Sequence, residues 1–210
     1  MIPAKKILVL SPHPDDGEFG CGAIIARYVD AGAQVWVQIF SLCEESLPKE
    51  FSTADIRQEA IRSWATLGVP SDHILVADYK VRRFPGERQA ILEDLVARKQ
   101  ELDPDLVFMP SSQDIHQDHQ VISQEGFRSF KQTNLLGYEL VWNTIAFPAQ
   151  LLFEVQSEYL QAKIDALKNY KSQEFRGYMD EQFIEALARV RGIQAGKPLA
   201  EAFEVFRLVE

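Results

Sequence analysis

The chain has 210 residues, of which 46% are hydrophobic and 25% are charged, with a formal net charge of −9. This length and composition suit one globular α/β domain over residues 1–210. The negative charge excludes the electrostatic footprint of a nucleic-acid-binding protein, and no apolar run is long enough to span a bilayer. The two cysteines, Cys21 and Cys43, form no disulfide framework, and the run before Ser11 is too short for a signal-peptide core. We therefore expect reduced thiols and a cytoplasmic protein.

Apolar runs alternate with segments of helical periodicity through the first half of the chain. Strands are predicted at 6–11, 34–41, 73–77 and 105–111, and helices at 22–33, 53–68 (with Thr53 as N-cap) and 86–103. Further on, the pattern predicts strands at 137–145 and 149–155, and helices at 157–171 and 180–192. Strands separated by helices predict a Rossmann-like, doubly wound and mostly parallel sheet of order 3-2-1-4-5 with C-terminal additions.

Two clusters of polar residues follow the first and fourth predicted strands. "SPHPDDGEFGCG" begins at Ser11, and "SSQDIHQDH" ends at His119; together they hold three of the four histidines in the chain, His13, His116 and His119. In a sheet of order 3-2-1-4-5, strands one and four are neighbours, and ligands bind at their carboxyl ends. The topology therefore predicts that the two loops meet in one crevice.

The residue types in these loops suit a divalent metal. Two imidazoles and one carboxylate, with a further position left to water, are typical of a catalytic zinc site. The remaining carboxylates and imidazole can serve as general base and oxyanion stabiliser. Taken alone, residues 13–16 also fit a capped turn and "HQDH" fits a solvated helix start, while Cys21 suits packing and His73 a structural role. The coincidence of both clusters at neighbouring strand ends favours a site.

At these residues the chain resembles the zinc-dependent sugar N-deacetylases of the LmbE-like (PIG-L) type. This group contains N-acetylglucosaminyl-phosphatidylinositol de-N-acetylase and deacetylases of the mycothiol and bacillithiol pathways. The resemblance rests on "PHPDDGEFGCG" and "HQDH", and it extends to "IRQEAIRSWATLGV", "KIDALKNYKSQ" and "LAEAFEVFR". It implies that His13, Asp16 and His119 bind one zinc ion (another divalent metal being possible). It also implies that Asp15 is the general base and that His116 stabilises the oxyanion.

The resemblance implies two further roles and shows two departures. Asp118 would hold the imidazole of His116 in orientation, and Arg57 would contact sugar hydroxyls. Many relatives have an acidic residue at the position of Gly17, whereas here the acid is Glu18. The loop "SLCEES" after the second strand lacks the expected Thr-Asp-Gly-like turn, which affects the surface expected to contact the sugar.

The leading hypothesis is a zinc hydrolase that removes the acetyl group from an N-acetylated amino sugar or its conjugate, of the N-acetylglucosamine type. The partner would be this small-molecule substrate, and because relatives often assemble, a homo-oligomer stays open. The alternative is a metal-binding or sugar-binding module without turnover, although a binder needs no base such as Asp15. A metal phosphoesterase is disfavoured, because such enzymes usually need two metals and more carboxylates.

Overall fold

Seven strands form one mixed sheet in the computed structural model, which describes residues 1–209. The strands are β1 (Lys6–Ser11), β2 (Gln34–Ile39), β3 (Ile74–Val76), β4 (Leu106–Pro110), β5 (Asn134–Tyr138), β6 (Leu151–Glu154) and β7 (Ala200–Arg207). Their order is β3-β2-β1-β4-β5-β7-β6, parallel from β3 to β5 and antiparallel at β7 and β6. The predicted order 3-2-1-4-5 with C-terminal additions is confirmed.

Helices cover both faces of the sheet. They are α1 (Asp16–Asp30), α2 (Thr53–Thr66), α3 (Arg88–Leu102), α4 (Gln117–Ser129), α5 (Ser157–Leu167) and α6 (Glu181–Ala195). Because side chains alternate along a strand, Ile7 and Val9 of β1 enter one core with α1, α2, α5 and α6, whereas Leu8 and Leu10 enter the other with α3 and α4. None of the helices within residues 1–209 combines the length and apolar character that a bilayer crossing requires.

The strands that precede the two polar clusters lie side by side. β1 pairs in parallel with β4, and the register places Leu8 opposite Val107. Both strands are fully buried over most of their length, as expected for parallel strands covered by helices on both faces. Their carboxyl ends therefore deliver the loops after Ser11 and Pro110 to the same edge of the sheet.

Some predicted boundaries are wrong. The cap of α2 is Ser52, whose side chain accepts a hydrogen bond from the Asp55 amide in a capping box, so the predicted cap Thr53 is the first helical residue. Residues 137–145 do not form one strand: β5 ends at Tyr138, and a single turn of 3₁₀ helix follows at Val141–Asn143. α1 begins at Asp16, six residues before the predicted start at 22.

α1 is interrupted at Cys21, whose backbone (φ −146°, ψ 15°) is not helical. The interruption is closed by two buried side chains from distant elements. Lys163 of α5 donates to the Phe19 carbonyl at 2.5 Å, and Glu201 of β7 accepts from the Ile24 amide at 2.8 Å. The two also form an ion pair of 2.7 Å, so every charge placed in the core here has a partner. The first turn of α1, which begins at the last residue of the "HPDD" motif, is therefore connected to the C-terminal part of the chain.

Candidate active site

The two motif loops meet at the carboxyl ends of β1 and β4 and border a cavity of about 220 Å³. We call its mostly buried side the floor, formed by His13, Asp15, Asp16, His116 and His119. We call its more exposed side the rim, formed by Ser46, Arg82, Trp142, Arg176 and Tyr178. The predicted convergence of the two loops is confirmed.

Three donor atoms of the floor converge on one point. His13 Nδ1 lies 3.1 Å from His119 Nε2, and Asp16 Oδ2 lies 3.2 Å from each of these nitrogens. Two ligands of a tetrahedral zinc ion, bound at ~2.0–2.2 Å, are about 3.3–3.5 Å apart. The triangle therefore fits a divalent metal after a shift of a few tenths of an ångström. The three histidines also approach one another, with ligand nitrogens within 4.8 Å, but Asp16 lies closer to His13 and His119.

Carboxylates hold the outer nitrogens of both converging imidazoles. Asp118 Oδ2 lies 3.0 Å from His13 Nε2, and Asp114 Oδ2 lies 2.7 Å from His119 Nδ1. A neutral imidazole held in this way carries its proton on the outer nitrogen, so its inner nitrogen presents a lone pair to a metal. Without a metal, a second proton on an imidazole can occupy the space among the three atoms instead. Paired carboxylates behind the imidazoles are typical of metal-binding histidines.

The charges around the floor favour a cation. Burial lowers the pKa of His119, but Asp16 and Asp114 outweigh it and raise that pKa to about 10. Burial raises the pKa of Asp16, but the charge and hydrogen bond of His119, together with His13, hold it well below its usual range. The site thus stabilises positive charge strongly at neutral pH, as a metal-binding site must.

Asp118 does not contact His116 through its carboxylate, contrary to the role predicted for it. Besides His13, its oxygens accept from the backbone amides of Arg82 at 2.6 Å and Phe84 at 3.3 Å. Only its backbone N–H reaches His116, donating to Nδ1 at 3.2 Å. The reason is position: Asp118 lies in the first turn of α4, where His116 is the N-cap and accepts from the free helix amides.

The carboxylate of Asp15 is not used to cap α1, so it is available to accept a proton. Its backbone has φ 82°, a strained value for a non-glycine residue, and its side chain makes no N-cap hydrogen bond to α1. Asp15 therefore does not cap α1 with its side chain, and the capped-turn interpretation of residues 13–16 does not account for this residue. Burial raises the pKa of Asp15 well above its usual value, with Asp16 and Glu18 adding to the rise and Arg176 opposing it. Strained backbone of this kind is frequent at functional sites.

His116 is placed to donate a hydrogen bond into the cavity. Burial and the charges of His119 and His13 lower the pKa of His116 to about 4, so its imidazole is neutral at pH 7. Because Nδ1 accepts from the Asp118 amide, the single proton is on Nε2. A neutral imidazole with a free N–H can stabilise a developing negative charge.

Arg57 lies outside this cavity. Its side chain is exposed on α2, and the preceding residue, Ile56, lines the cavity instead. Successive helix residues are about 100° apart, so the two side chains point to different sides.

The shift of the acidic residue from position 17 to Glu18 has a steric reason, because a Cβ on Gly17 would lie 2.8 Å from the Trp64 ring. Glu18 is buried and accepts from the Tyr170 hydroxyl at 2.7 Å.

The rim is built from residues that the sequence patterns did not single out. Trp142 and Tyr178 stack with ring centroids 3.9 Å apart, and Phe19 packs edge-on against both. Arg82, at φ 66°, donates to the Ser46 hydroxyl at 2.8 Å. Ser46, Trp142 and Tyr178 lie in three short 3₁₀ turns, and the two rim arginines lie in loops; such segments carry no periodic signal. Asp114 was also missed, although it lies within the "SSQDIHQDH" cluster.

Comparisons with known proteins agree with the motifs. The GlcNAc-PI de-N-acetylase family, PIG-L, matches residues 8–129. A relative from Escherichia coli strain K12, the "Uncharacterized deacetylase YaiS", is 28% identical over 172 residues, which cover 80% of this chain and 91% of the relative.

Solved structures share the fold at lower identity. N,N'-diacetylchitobiose deacetylase from Pyrococcus horikoshii has a TM-score of 0.82 at 21% identity, covering 97% of this chain and 84% of its own. GalB, the 4-carboxy-2-hydroxymuconate hydratase from Pseudomonas putida KT2440, has a TM-score of 0.79 at 19% identity, covering 98% of each chain. A hydratase with this fold shows that the fold alone does not fix the reaction.

The family match carries more weight than the fold. It spans more than half of the chain and contains most of β1, all of β4 and both motif loops. The chain therefore belongs to the GlcNAc-PI de-N-acetylase (PIG-L) family of deacetylases, as the resemblance of its motifs predicted.

Proposed function

We propose that the protein is a zinc-dependent deacetylase that releases acetate from an N-acetylated amino sugar or its conjugate, of the N-acetylglucosamine type. The observation that carries the proposal is the triangle of His13 Nδ1, Asp16 Oδ2 and His119 Nε2. Asp15 lines the same cavity, and its carboxylate makes no hydrogen bond to the start of α1. The donor set of the triangle, two imidazoles and one carboxylate, is that of catalytic rather than structural zinc sites.

In the proposed site, His13, Asp16 and His119 hold the metal, and Asp118 and Asp114 hold the two imidazoles in the required tautomer. When bound, a divalent metal polarises a carbonyl and can lower the pKa of a water molecule from 15.7 to roughly 7. The donor triangle has an open side towards the cavity, since its three residues all line it. An acetamido group entering from the rim can therefore reach the floor.

The remaining floor residues supply the acid–base chemistry. Asp15 accepts a proton from the water that attacks the amide carbon, and His116 donates its Nε2–H to the oxygen that becomes negative. Asp15 then passes its proton to the amine nitrogen as the C–N bond breaks, which leaves acetate and the free amino sugar. Asp15 can act first as a base and then as an acid, because the proton that it takes from water is the one that it gives to the amine.

A panel of N-acetylglucosamine conjugates offered to the zinc-loaded protein, with free amine as the readout, tests this proposal. We expect turnover of at least one conjugate, its loss after chelation, and its recovery on adding zinc. Saturable sugar binding without amine release, for every conjugate offered, would replace the proposal with the binding module. Turnover that survives complete metal removal would remove the metal from the mechanism.

A further inference from the structure

The loop between β4 and α4, which carries Asp114 and ends at the N-cap His116, is tied to the last strand of the sheet. Glu204 of β7 accepts three hydrogen bonds from this loop. Its Oε2 accepts from the Ser111 hydroxyl and from the Ser112 amide, both at 2.7 Å, and its Oε1 accepts from the Ser112 hydroxyl at 2.6 Å. One carboxylate thus holds the first two residues of the loop.

The side chain of Glu204 reaches the loop across β5, which lies between β4 and β7. The residue of β5 opposite Glu204 is Gly137. A Cβ on Gly137 would lie 3.0 Å from Ser111 Cα and 3.2 Å from Glu204 Cβ, which is too close for ordinary packing. The φ of Gly137 is not positive, so close approach rather than backbone conformation requires glycine here. The missing side chain opens the path that Glu204 takes.

The loop held in this way carries the carboxylate behind His119. The Ser111 carbonyl accepts from the Asp114 amide at 3.2 Å, which closes a tight turn. The Asp114 side chain is buried, and its Oδ2 lies 2.7 Å from His119 Nδ1. A shift of Ser111 would therefore move Asp114 relative to the imidazole of His119.

We infer that Glu204 is a positioning residue of the metal site: it holds the loop so that Asp114 keeps its contact with His119. This inference rests on the proposed zinc site and adds to it a residue of β7, outside both motifs. Carboxylates behind metal-binding imidazoles orient the ring and strengthen metal binding. Glu204 acts one contact further out, through Ser111 and Asp114.

Two competing explanations give Glu204 no such role. In the first, Glu204 only stabilises the fold, because Asp114 is also held by a β-bridge to Thr144. The loss of Glu204 would then lower the melting temperature and leave metal affinity unchanged. In the second, the negative charge of Glu204 attracts the cation without ordering the loop. Every neutral replacement of Glu204 would then weaken metal binding equally.

Zinc affinity, measured by competition with a chromophoric chelator, separates the three explanations. Glu204→Ala removes all three hydrogen bonds, so we expect zinc binding to weaken by about 10–100-fold, as is usual when an outer partner of a metal ligand is lost. Glu204→Gln should retain most of the affinity, because its amide oxygen can accept from the Ser112 amide and its NH₂ group can donate to the Ser112 hydroxyl. Equal losses in the two variants would leave charge as the cause and overturn the inference.

Glu154→Ala is the matched control. Glu154 is a half-buried carboxylate of β6, two strands away from β4, and it pairs with Lys197 at 3.1 Å. Its loss should leave zinc affinity unchanged, and thermal melting should show all variants folded. A lower melting temperature in Glu204→Ala, with the zinc affinity of wild type, would overturn the inference.

A double variant shows whether Glu204 acts through Asp114. If it does, Glu204→Ala weakens zinc binding strongly in the wild-type chain but only slightly in a chain that already carries Asp114→Ala. Independent residues would instead give losses that multiply. Full multiplication of the two losses would overturn the inference.

Amine release from N-acetylglucosamine conjugates, measured on the same proteins, separates the positioning role from the proposed function. Zinc binding that depends on Glu204, without turnover of any conjugate, would contradict the deacetylase and retain the positioning role. Turnover in wild type, with zinc affinity unchanged in Glu204→Ala, would contradict the positioning role and retain the deacetylase. A wild type that binds no zinc would contradict both.

Discussion

The floor and the rim of the cavity are built in different ways. The floor comes from two short motifs at the ends of neighbouring parallel strands, and two of its imidazoles, His13 and His119, are held by the buried carboxylates of Asp118 and Asp114. The rim comes from loops between or beyond those strands, and its residues are half-buried or exposed. Rigid strand ends fix atoms closely enough for metal binding, while loops can change without disturbing the sheet. In the proposed function the chemistry takes place at the floor, and we expect the rim to determine substrate choice.

The largest effect should follow the loss of a floor imidazole. His119→Ala removes one corner of the donor triangle, so we expect loss of the metal and a fall in kcat/KM on the order of 10⁴-fold or more, because water activation goes with it. Metal analysis beside the deacetylation assay measures both. His73→Ala is the matched control, because His73 stacks on Trp36 with 4.4 Å between ring centroids, away from the cavity. An unchanged metal content in His119→Ala would contradict the assignment of His119 as a metal ligand.

Asp15→Asn should separate metal binding from turnover within the floor. The amide has nearly the size of the carboxylate but cannot accept a proton, so kcat should fall by about 10²–10⁴-fold while bound zinc stays near wild type. Asp16→Asn is the matched comparison: it removes the charge of a proposed metal ligand, so bound zinc should fall, and kcat should fall as a consequence. Equal kcat in wild type and Asp15→Asn would show that another group is the base.

Asp118→Asn tests the corrected role of this residue. Because its carboxylate holds His13, we expect about 10–100-fold weaker metal binding, with activity restored by excess zinc. If Asp118 instead oriented His116, Asp118→Asn would lower kcat, and excess zinc would not restore it. Zinc titration of the activity distinguishes the two.

The smallest effect is expected at Arg57. The side chain is exposed and lies outside the cavity, so Arg57→Gln should change kcat/KM by less than about twofold on any sugar conjugate, as is usual for surface positions. The same assay panel measures it. A large rise in KM with an unchanged melting temperature would place Arg57 in the rim and move the boundary between the two regions.

The sequence was sufficient to predict the floor and insufficient for the rim, for physical reasons. Strand neighbours β1 and β4 follow from the winding rules, and these bring His13 and His119 together although 105 residues separate them in the chain. Local pattern cannot predict that β7 inserts between β5 and β6, because antiparallel pairing of a late strand depends on which edge is free. Nor can it predict which loop residues, such as Arg82 and Arg176, turn inward.

The interruption of α1 has a consequence for how the protein matures. The residues that close it, Lys163 and Glu201, lie beyond residues 8–129, which contain both motifs. A nascent chain that has exposed only the motif segment lacks these partners, so we expect α1 to fray around the interruption at Cys21 until β7 emerges and docks. Amide hydrogen exchange on truncated chains would show it, with Ile24 protected only once residue 201 is present. Assembly of the donor triangle would then be a late, cooperative event, completed after translation has passed β7.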